Sequence, residues 1–221
     1  HPADEVFSTM PVPALVRALG SAPDHVASVA EGLQFRDFLT VGLLVDRLRL
    51  QPPRGRELIP DNWIYVQEPD VSIGRLQVFN NWSPWLVADP TKVWLGLEYF
   101  CNRTDPEWAW PDEDLIARGI DELERIEVIP PGGARFGTVL RVPRTYPAYF
   151  GTYDRLGEVR DWLDGFENLW CVGRNGQHRY NNQDHSMLTA MLAVDVLAGD
   201  VAAEDVDVSA VNTESDYHED R

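Results

Sequence analysis

From Gly173 to Asp184 the chain runs for twelve residues (Gly-Arg-Asn-Gly-Gln-His-Arg-Tyr-Asn-Asn-Gln-Asp) without one aliphatic side chain. Glycine and asparagine tolerate unusual backbone angles and offer hydrogen bonds at short reach. Arg174 adds a fixed charge and a planar donor fork that matches phosphate. This stretch must be held by its flanks. Leu169 to Val172 is a short apolar run that stops at Gly173, which predicts a buried strand from a sheet with both faces covered. Met187, Leu188, Met191, Leu192, Val194 and Val196 recur at helical intervals, with Asn182 or Asp184 placed to cap the helix and Gly199 to end it. The unit is therefore strand, polar loop, helix N-terminus. A helix's first turn presents unpaired N–H groups and the positive end of its dipole, so the chemistry expected is binding of an anion or an electron-rich ring. The same spacing also suits a plain strand-to-helix connection.

The run GRNGQHRYNNQDHSMLTAMLAV resembles the C-terminal flavin-contacting segment of FAD-dependent oxidoreductases of the amine oxidase and protoporphyrinogen oxidase type. It is also similar to the Gly-Arg…Tyr-x-Tyr segment of UDP-galactopyranose mutases. A group of NAD(P)/FAD-dependent oxidoreductases is resembled over nearly the whole chain, through EVFSTMPVPALVRAL, FRDFLTVGLLV, NWIYVQEP, LGLEYFC and RVPRTYPAYF. The resemblance implies FAD as cofactor. It puts Gly173, Arg174 and Asn175 beside the diphosphate or ribityl chain, and Asn182, Gln183, Asp184, His185 and Ser186 at the flavin. Tyr180 matches the second tyrosine of the mutase segment, near the substrate's diphosphate. His178 and Tyr180 are the candidates for proton handling or substrate positioning. Two positions depart from the pattern: amine oxidases usually carry an acid where Arg174 stands, and His178 replaces the mutases' first tyrosine.

A complete enzyme of that type opens with a βαβ unit whose G-x-G-x-x-G turn holds the adenine-side phosphates. This sequence has no such turn; Gly132, Gly133 and Gly137 follow two prolines and open no helix. The expectation is a C-terminal portion of a larger protein, partnered by a missing N-terminal FAD-binding domain and a small-molecule substrate. Within it, residues 1–20 would be a returning strand and helix, 21–150 a substrate-binding domain, 151–199 the flavin-contacting strand-loop-helix, and 200–221 an acidic tail.

Composition bounds the rest. The 221 residues are 44% hydrophobic, enough for a substantial core, and the net charge of −17 disfavours nucleic acid as a partner. No apolar run approaches the ~18 residues of a membrane span. Without a signal core, and with Cys101 and Cys171 inside apolar runs as expected buried thiols, a reducing cytoplasm fits.

The predicted fold class is α+β. A mixed, mostly antiparallel sheet with flanking helices forms the substrate domain, beside a strand-loop-helix piece of an incomplete FAD-binding domain. A strand near Glu5 to Ser8 precedes a helix from Val12 to Leu19. Phe35 to Asp46 reads as a central strand, and Asn62 to Glu68 alternates as a half-buried one. Strands from Arg75 to Phe79 and Val93 to Cys101 continue the sheet, most simply as a meander. Asp112 to Ile126 is an amphipathic helix, and Pro130 to Gly137 a loop.

Six of the eight tryptophans lie between Trp63 and Trp110. They suit either a pocket walled by aromatics or a core of large side chains. Asn81 and Trp82 are the substrate-side candidates there, with Trp85 beside them. Arg144, Tyr146 and Tyr149 lie in a stiff tyrosine-rich segment that the resemblance implies passes near flavin and substrate, which makes them the others; an exposed loop with its tyrosines packed down as anchors is the competing reading. Residues 200–221 carry eight acids and one arginine and by composition predict a solvated tail. The stretch from Val211 to Glu219 nevertheless resembles a recurring ending in related oxidoreductases, which implies docking. His178, Asp184 and His185 lack metal-site spacing, and no metal is expected. Beside the oxidoreductase reading stand two others: a redox-neutral, mutase-like flavin isomerase acting on a nucleotide-sugar, and a noncatalytic binding module.

Overall fold

The computed structural model describes residues 2–212. In chain order the elements are β1 (Val6–Ser8), α1 (Val12–Leu19), α2 (Asp24–Gly32), β2 (Leu33–Val45), β3 (Trp63–Tyr65), β4 (Arg75–Val78), α3 (Phe79–Trp82), β5 (Val93–Tyr99), α4 (Asp112–Arg125), β6 (Ala134–Gly151), α5 (Leu156–Leu163), β7 (Leu169–Cys171), α6 (Gly173–Gly176) and α7 (Gln183–Ala198). The class is α+β, as the sequence predicts.

The described residues form two compact units, 2–36 with 146–212, and 37–145. The division falls at Asp37 and Thr145, not at the expected residues 21 and 150. The reason is α2, whose Val26, Val29 and Ala30 share one apolar core with Val12, Leu15 and Val16 of α1 and Leu156, Val159 and Leu163 of α5. Burying each of the larger of these side chains contributes about 2 kcal/mol. Gly20 ends α1 in the left-handed region at φ 69°, donating its N–H to Val16 O.

In the 37–145 unit the sheet order is β3-β4-β5-β2-β6. The meander holds only for β3, β4 and β5, each antiparallel to the next. β2 lies between β5 and β6, with Val41 opposite Leu97 and Leu43 opposite Leu95. The long apolar run of β2 requires neighbours on both edges, and this position supplies them. Leu39, Val41 and Leu43 point with Leu76, Leu95 and Leu97 onto Leu115 and Leu123 of α4. Pro130 to Gly133 form the expected loop, but Ala134 to Gly137, expected as its second half, already open an 18-residue strand, β6, which runs on through Thr138 and the tyrosine-rich segment to Gly151. Its Pro143 and Pro147 are tolerated because β6 is an edge.

In the other unit, β1 and β7 pair in parallel as a two-stranded sheet. This corrects the expectation of a strand covered on both faces: Leu169, Trp170 and Cys171 are half-buried, and Val6 and Phe7 are exposed. α7 is likewise inverted. It buries Thr189 and Ala193 while Met187, Leu188, Met191, Val194 and Leu197 stay exposed. Of the predicted apolar positions Leu192 and Val196 are half-buried, and among the described residues nothing covers the exposed ones.

The tail divides. Residues 203–210 form two single 3-10 turns, Ala203–Asp205 and Val208–Ala210, so composition alone misjudges this part. The rest of the recurring ending, from Thr213 to Glu219, lies outside the described residues. Both cysteines are free and half-buried, Cys171 with its thiol pushed up to about 11 by burial. Among the described residues no helix is long and apolar enough to cross a membrane.

Candidate functional site

The polar loop is built by two close approaches of backbone to backbone. Val172 N–H donates to Ser8 O at 3.0 Å, carrying the β1–β7 register one residue further. At Gly176 a Cβ would stand 2.5 Å from Ser8 O, so only glycine lets the α6 turn sit against the end of β1. Gly173 takes φ +76°, and its N–H donates to Thr189 Oγ1 at 2.9 Å, which ties the loop to the interior face of α7. The loop then turns on itself: Gln177 N–H reaches Gly173 O at 3.2 Å and Arg179 N–H reaches Arg174 O at 3.0 Å.

These constraints aim Arg174. Its Nε donates to Asn181 O at 2.7 Å, and its guanidinium lies 5.0 Å from the ring centres of both Tyr146 and Tyr180. The two tyrosine rings are stacked, 5.0 Å apart and 10° from parallel. A guanidinium held at aromatic faces keeps its planar fork oriented at little further entropic cost. Tyr149 supports the same loop, its hydroxyl accepting Tyr180 N–H at 2.7 Å. Burial pushes the Tyr149 phenol above its usual range. Arg174, Tyr146, Tyr149 and Tyr180, chosen from the sequence on separate grounds, thus form one cluster.

The helix N-terminus follows directly. Asn182, Gln183 and Asp184 are exposed, while His185 and Ser186 are half-buried. His185 Nδ1 accepts Asn182 N–H at 3.3 Å, so this imidazole serves as a cap. Asn175 Oδ1 is buried and has no hydrogen-bond partner among the described residues.

His178 is placed differently from its expected role. It is fully buried, at φ 47°, with Nε2 3.3 Å from Ala148 O and its ring edge-on to Phe35 at 4.8 Å. Burial pushes its pKa down to about 4, so the ring is neutral near pH 7 and presents no surface to a ligand within this unit. In the unfolded chain the imidazole takes a proton near pH 6.5. The stability its neutral burial permits is complete above about pH 6.5 and is lost as the pH falls through about 4, by up to roughly 3 kcal/mol. Chemical denaturation of His178→Phe is expected to show a flatter stability curve between pH 4 and 7 than the wild type.

The remaining sequence candidates lie in the 37–145 unit. Asn81 Nδ2 donates to Ile59 O at 2.8 Å and Asp61 O at 2.9 Å, tying down the loop before β3. Trp82 packs edge-on against Trp63 at 5.9 Å, and Trp85 is 92% exposed. Arg144 stands at φ 57°, its N–H donating to Asp37 Oδ1 at 2.8 Å.

Sequence reasoning missed the polar centre of this unit. Arg75 Nε pairs with Glu98 Oε2 at 2.6 Å, and Trp63 Nε1 donates to Glu98 Oε1 at 3.1 Å. Gln77 Nε2 also donates to Glu98, and the Arg75 guanidinium lies over Trp63 and Phe100 at 4.9 and 5.1 Å. Arg75 and Glu98 are opposite each other in the β4–β5 register. The signal was present: an acid inside the apolar run Val93 to Phe100 demands a buried partner.

No protein-family model and no curated protein matches the chain. Solved structures do. A reduced UDP-galactopyranose mutase superimposes with a TM-score of 0.77 at 24% identity, over 95% of this chain and 44% of that one. A proposed protoporphyrinogen oxidase from Exiguobacterium sp. 255-15 gives 0.55 at 20% identity, over 78% of this chain and 36% of its own. An oxidoreductase from Methanosarcina mazei gives 0.53 at 18% identity, covering 88% and 43%. The chain therefore shares its fold with parts of these proteins and spans less than half of each.

Proposed function

We propose that this chain is the substrate-binding and C-terminal flavin-contacting portion of an FAD-dependent enzyme, completed by a nucleotide-binding domain of the same protein. Two observations carry this reading together: the parallel β1–β7 pair and the bare apolar residues of α7. A two-stranded sheet is marginal by itself, and parallel strands are normally covered on both faces. Val6, Phe7 and Met10 together with Met187, Met191 and Val194 are exposed. They are the surface on which the remaining strands and helices of a nucleotide-binding layer would pack.

The residues present fit the cofactor. Gly173 and Arg174 would face its diphosphate or ribityl chain, and the buried acceptor Asn175 Oδ1 suits a ribityl hydroxyl. The N–H groups of Asn182, Gln183 and Asp184 would meet the flavin's electron-rich edge. Bound there, the isoalloxazine supplies the redox or nucleophilic chemistry. The chain's own groups bind and orient: Arg174 neutralises negative charge, Tyr146 and Tyr180 hold its fork, and Tyr149 fixes the Tyr180 backbone. Arg144, Asn81 and Trp82 remain substrate-side candidates. A mutase-like isomerase acting on a nucleotide-sugar is the second reading, favoured by the overlay of 95% of this chain on the mutase.

Titration with FAD, followed by flavin fluorescence, tests the proposal. The chain alone is expected to bind weakly or not at all, and the chain mixed with the polypeptide carrying the dinucleotide-binding βαβ unit to bind tightly. Arg174→Ala should then raise the dissociation constant by about 10- to 100-fold, the value of a charge-assisted hydrogen bond to phosphate. No binding with both pieces folded would refute the flavin reading. Tight UDP binding by the reconstituted protein would favour the mutase-like form.

A further inference from the structure

Residues 206–212 lie against the Arg174 loop, and three amide side chains stitch the two together. Asn212 Nδ2 donates to Tyr180 O at 2.9 Å and to Asn181 Oδ1 at 3.2 Å. Asn181 Nδ2 donates to Gln177 Oε1 at 3.1 Å, and Gln177 Nε2 donates to Val208 O at 2.8 Å. The relay thus starts and ends on the C-terminal segment and passes through the middle of the loop. Arg179 Nη1 adds bonds to Val211 O at 3.4 Å and Asn212 O at 3.1 Å.

The burial of these groups sets the stakes. Gln177, Arg179 and Asn181 are 4%, 6% and 1% exposed. A buried amide with its partner removed loses far more than the net value of one hydrogen bond, and linked networks of this kind fail together. The loop has no aliphatic side chain from Gly173 to Asp184 with which to pack itself down. Its order therefore depends on the strap that satisfies its polar groups. Asn181 is the joint: its side chain belongs to the relay, and its carbonyl holds Arg174 Nε.

We propose that residues 206–212 are a strap that sets the geometry of the Arg174–Tyr180 cluster, with Asn212 as a positioning residue acting through Asn181 and the Tyr180 backbone. Displacing the strap, by a competing segment or by proteolysis beyond Ala202, would turn off ligand binding at the loop while leaving the α1–α2–α5 core intact. Only the identity of the ligand rests on the flavin reading above.

The test uses Asn212→Gly in the full chain. Asn212 has φ +58°, a conformation that glycine adopts without strain, so the variant removes the amide alone, whereas alanine would add backbone cost. Hydrogen exchange of the amides of residues 174–182 should quicken about 10- to 100-fold, with those of α1, α2 and α5 unchanged. Asn212→Asp supplies a pH signature. At pH 7 its carboxylate faces two oxygen acceptors and the loop exchanges fast. As the pH is lowered, after correction for intrinsic rates, protonation, promoted by those oxygens and opposed by the Arg179 guanidinium at the residue-212 carbonyl, restores an O–H donor and slows exchange again. In the reconstituted protein FAD affinity should fall about tenfold in Asn212→Gly, again the value of one or two such bonds. Unchanged loop exchange, or a uniform rise throughout the unit, overturns the proposal. Faster loop exchange in a protein that never binds FAD upholds the strap and sinks the flavin reading.

Discussion

Glu98→Gln is expected to destabilise the chain by about 3–5 kcal/mol, measured as the shift of its urea unfolding midpoint, although the substitution changes neither shape nor volume. Glu98 is fully buried and the Arg75 side chain 10% exposed, and Arg75 cannot shed its proton. Glutamine still accepts from Trp63 Nε1, so what is lost is the counter-charge. Arg75→Met combined with Glu98→Leu should recover most of the loss, because removing both charges abolishes the desolvation cost that one alone imposes. Trp63, 43% exposed, can turn its indole N–H to water in that double variant. A cost below about 1 kcal/mol for Glu98→Gln would mean that Arg75 reaches solvent, against the buried-pair account. The single variant also bears on function. The Arg75 guanidinium lies over Trp63, which packs on Trp82, so an Arg75 without its counter-charge disturbs the aromatic surface nominated for substrate.

Gly176→Ala carries the second large effect, about 3 kcal/mol of stability, together with loss of the FAD affinity proposed above for the reconstituted protein. The added methyl would stand 2.5 Å from Ser8 O and 3.4 Å from Thr9 Cα, and both are backbone atoms with no rotamer to escape into. Either the α6 turn lifts away or β1 separates from β7, and both displace Arg174. Gly157→Ala in α5 is the control. Nothing lies within 4 Å of the methyl there, and it should be neutral or stabilising by up to ~1 kcal/mol, since alanine favours the helix. Equal behaviour of the two variants in thermal melts would remove the close approach as the basis of the loop.

Local pattern was a sound guide where the deciding interactions are local. The break from Leu169–Cys171 to Gly173, the cap at Asn182 and the stop at Gly199 follow from backbone preferences within a few residues, and the structure reproduces each. α4 and the alternation of Trp63, Ile64 and Tyr65 were legible for the same reason. The candidate cluster was half legible. Arg174, Tyr180, Tyr146 and Tyr149 were chosen from residue type and resemblance, but the two pairs stand some 30 residues apart, and only the packing of β6 beside the loop stacks Tyr146 on Tyr180.

Periodicity in α7 marked an apolar face but could not say that Thr189 and Ala193, not the methionines, would be the buried side. A period specifies which residues share a direction; what lies in that direction is a property of other segments. The insertion of β2 between β5 and β6, the burial of His178 and the docking of the 206–212 strap onto Gln177 and Arg179 are of the same kind. The sequence by itself determined the elements and the chemistry they carry, because dihedral preference and side-chain type act within a turn or a strand. The tertiary structure alone decided which charges are paired, which histidine is silent and which loop is locked. Those outcomes depend on desolvation and on hydrogen-bond partners brought from distant parts of the chain.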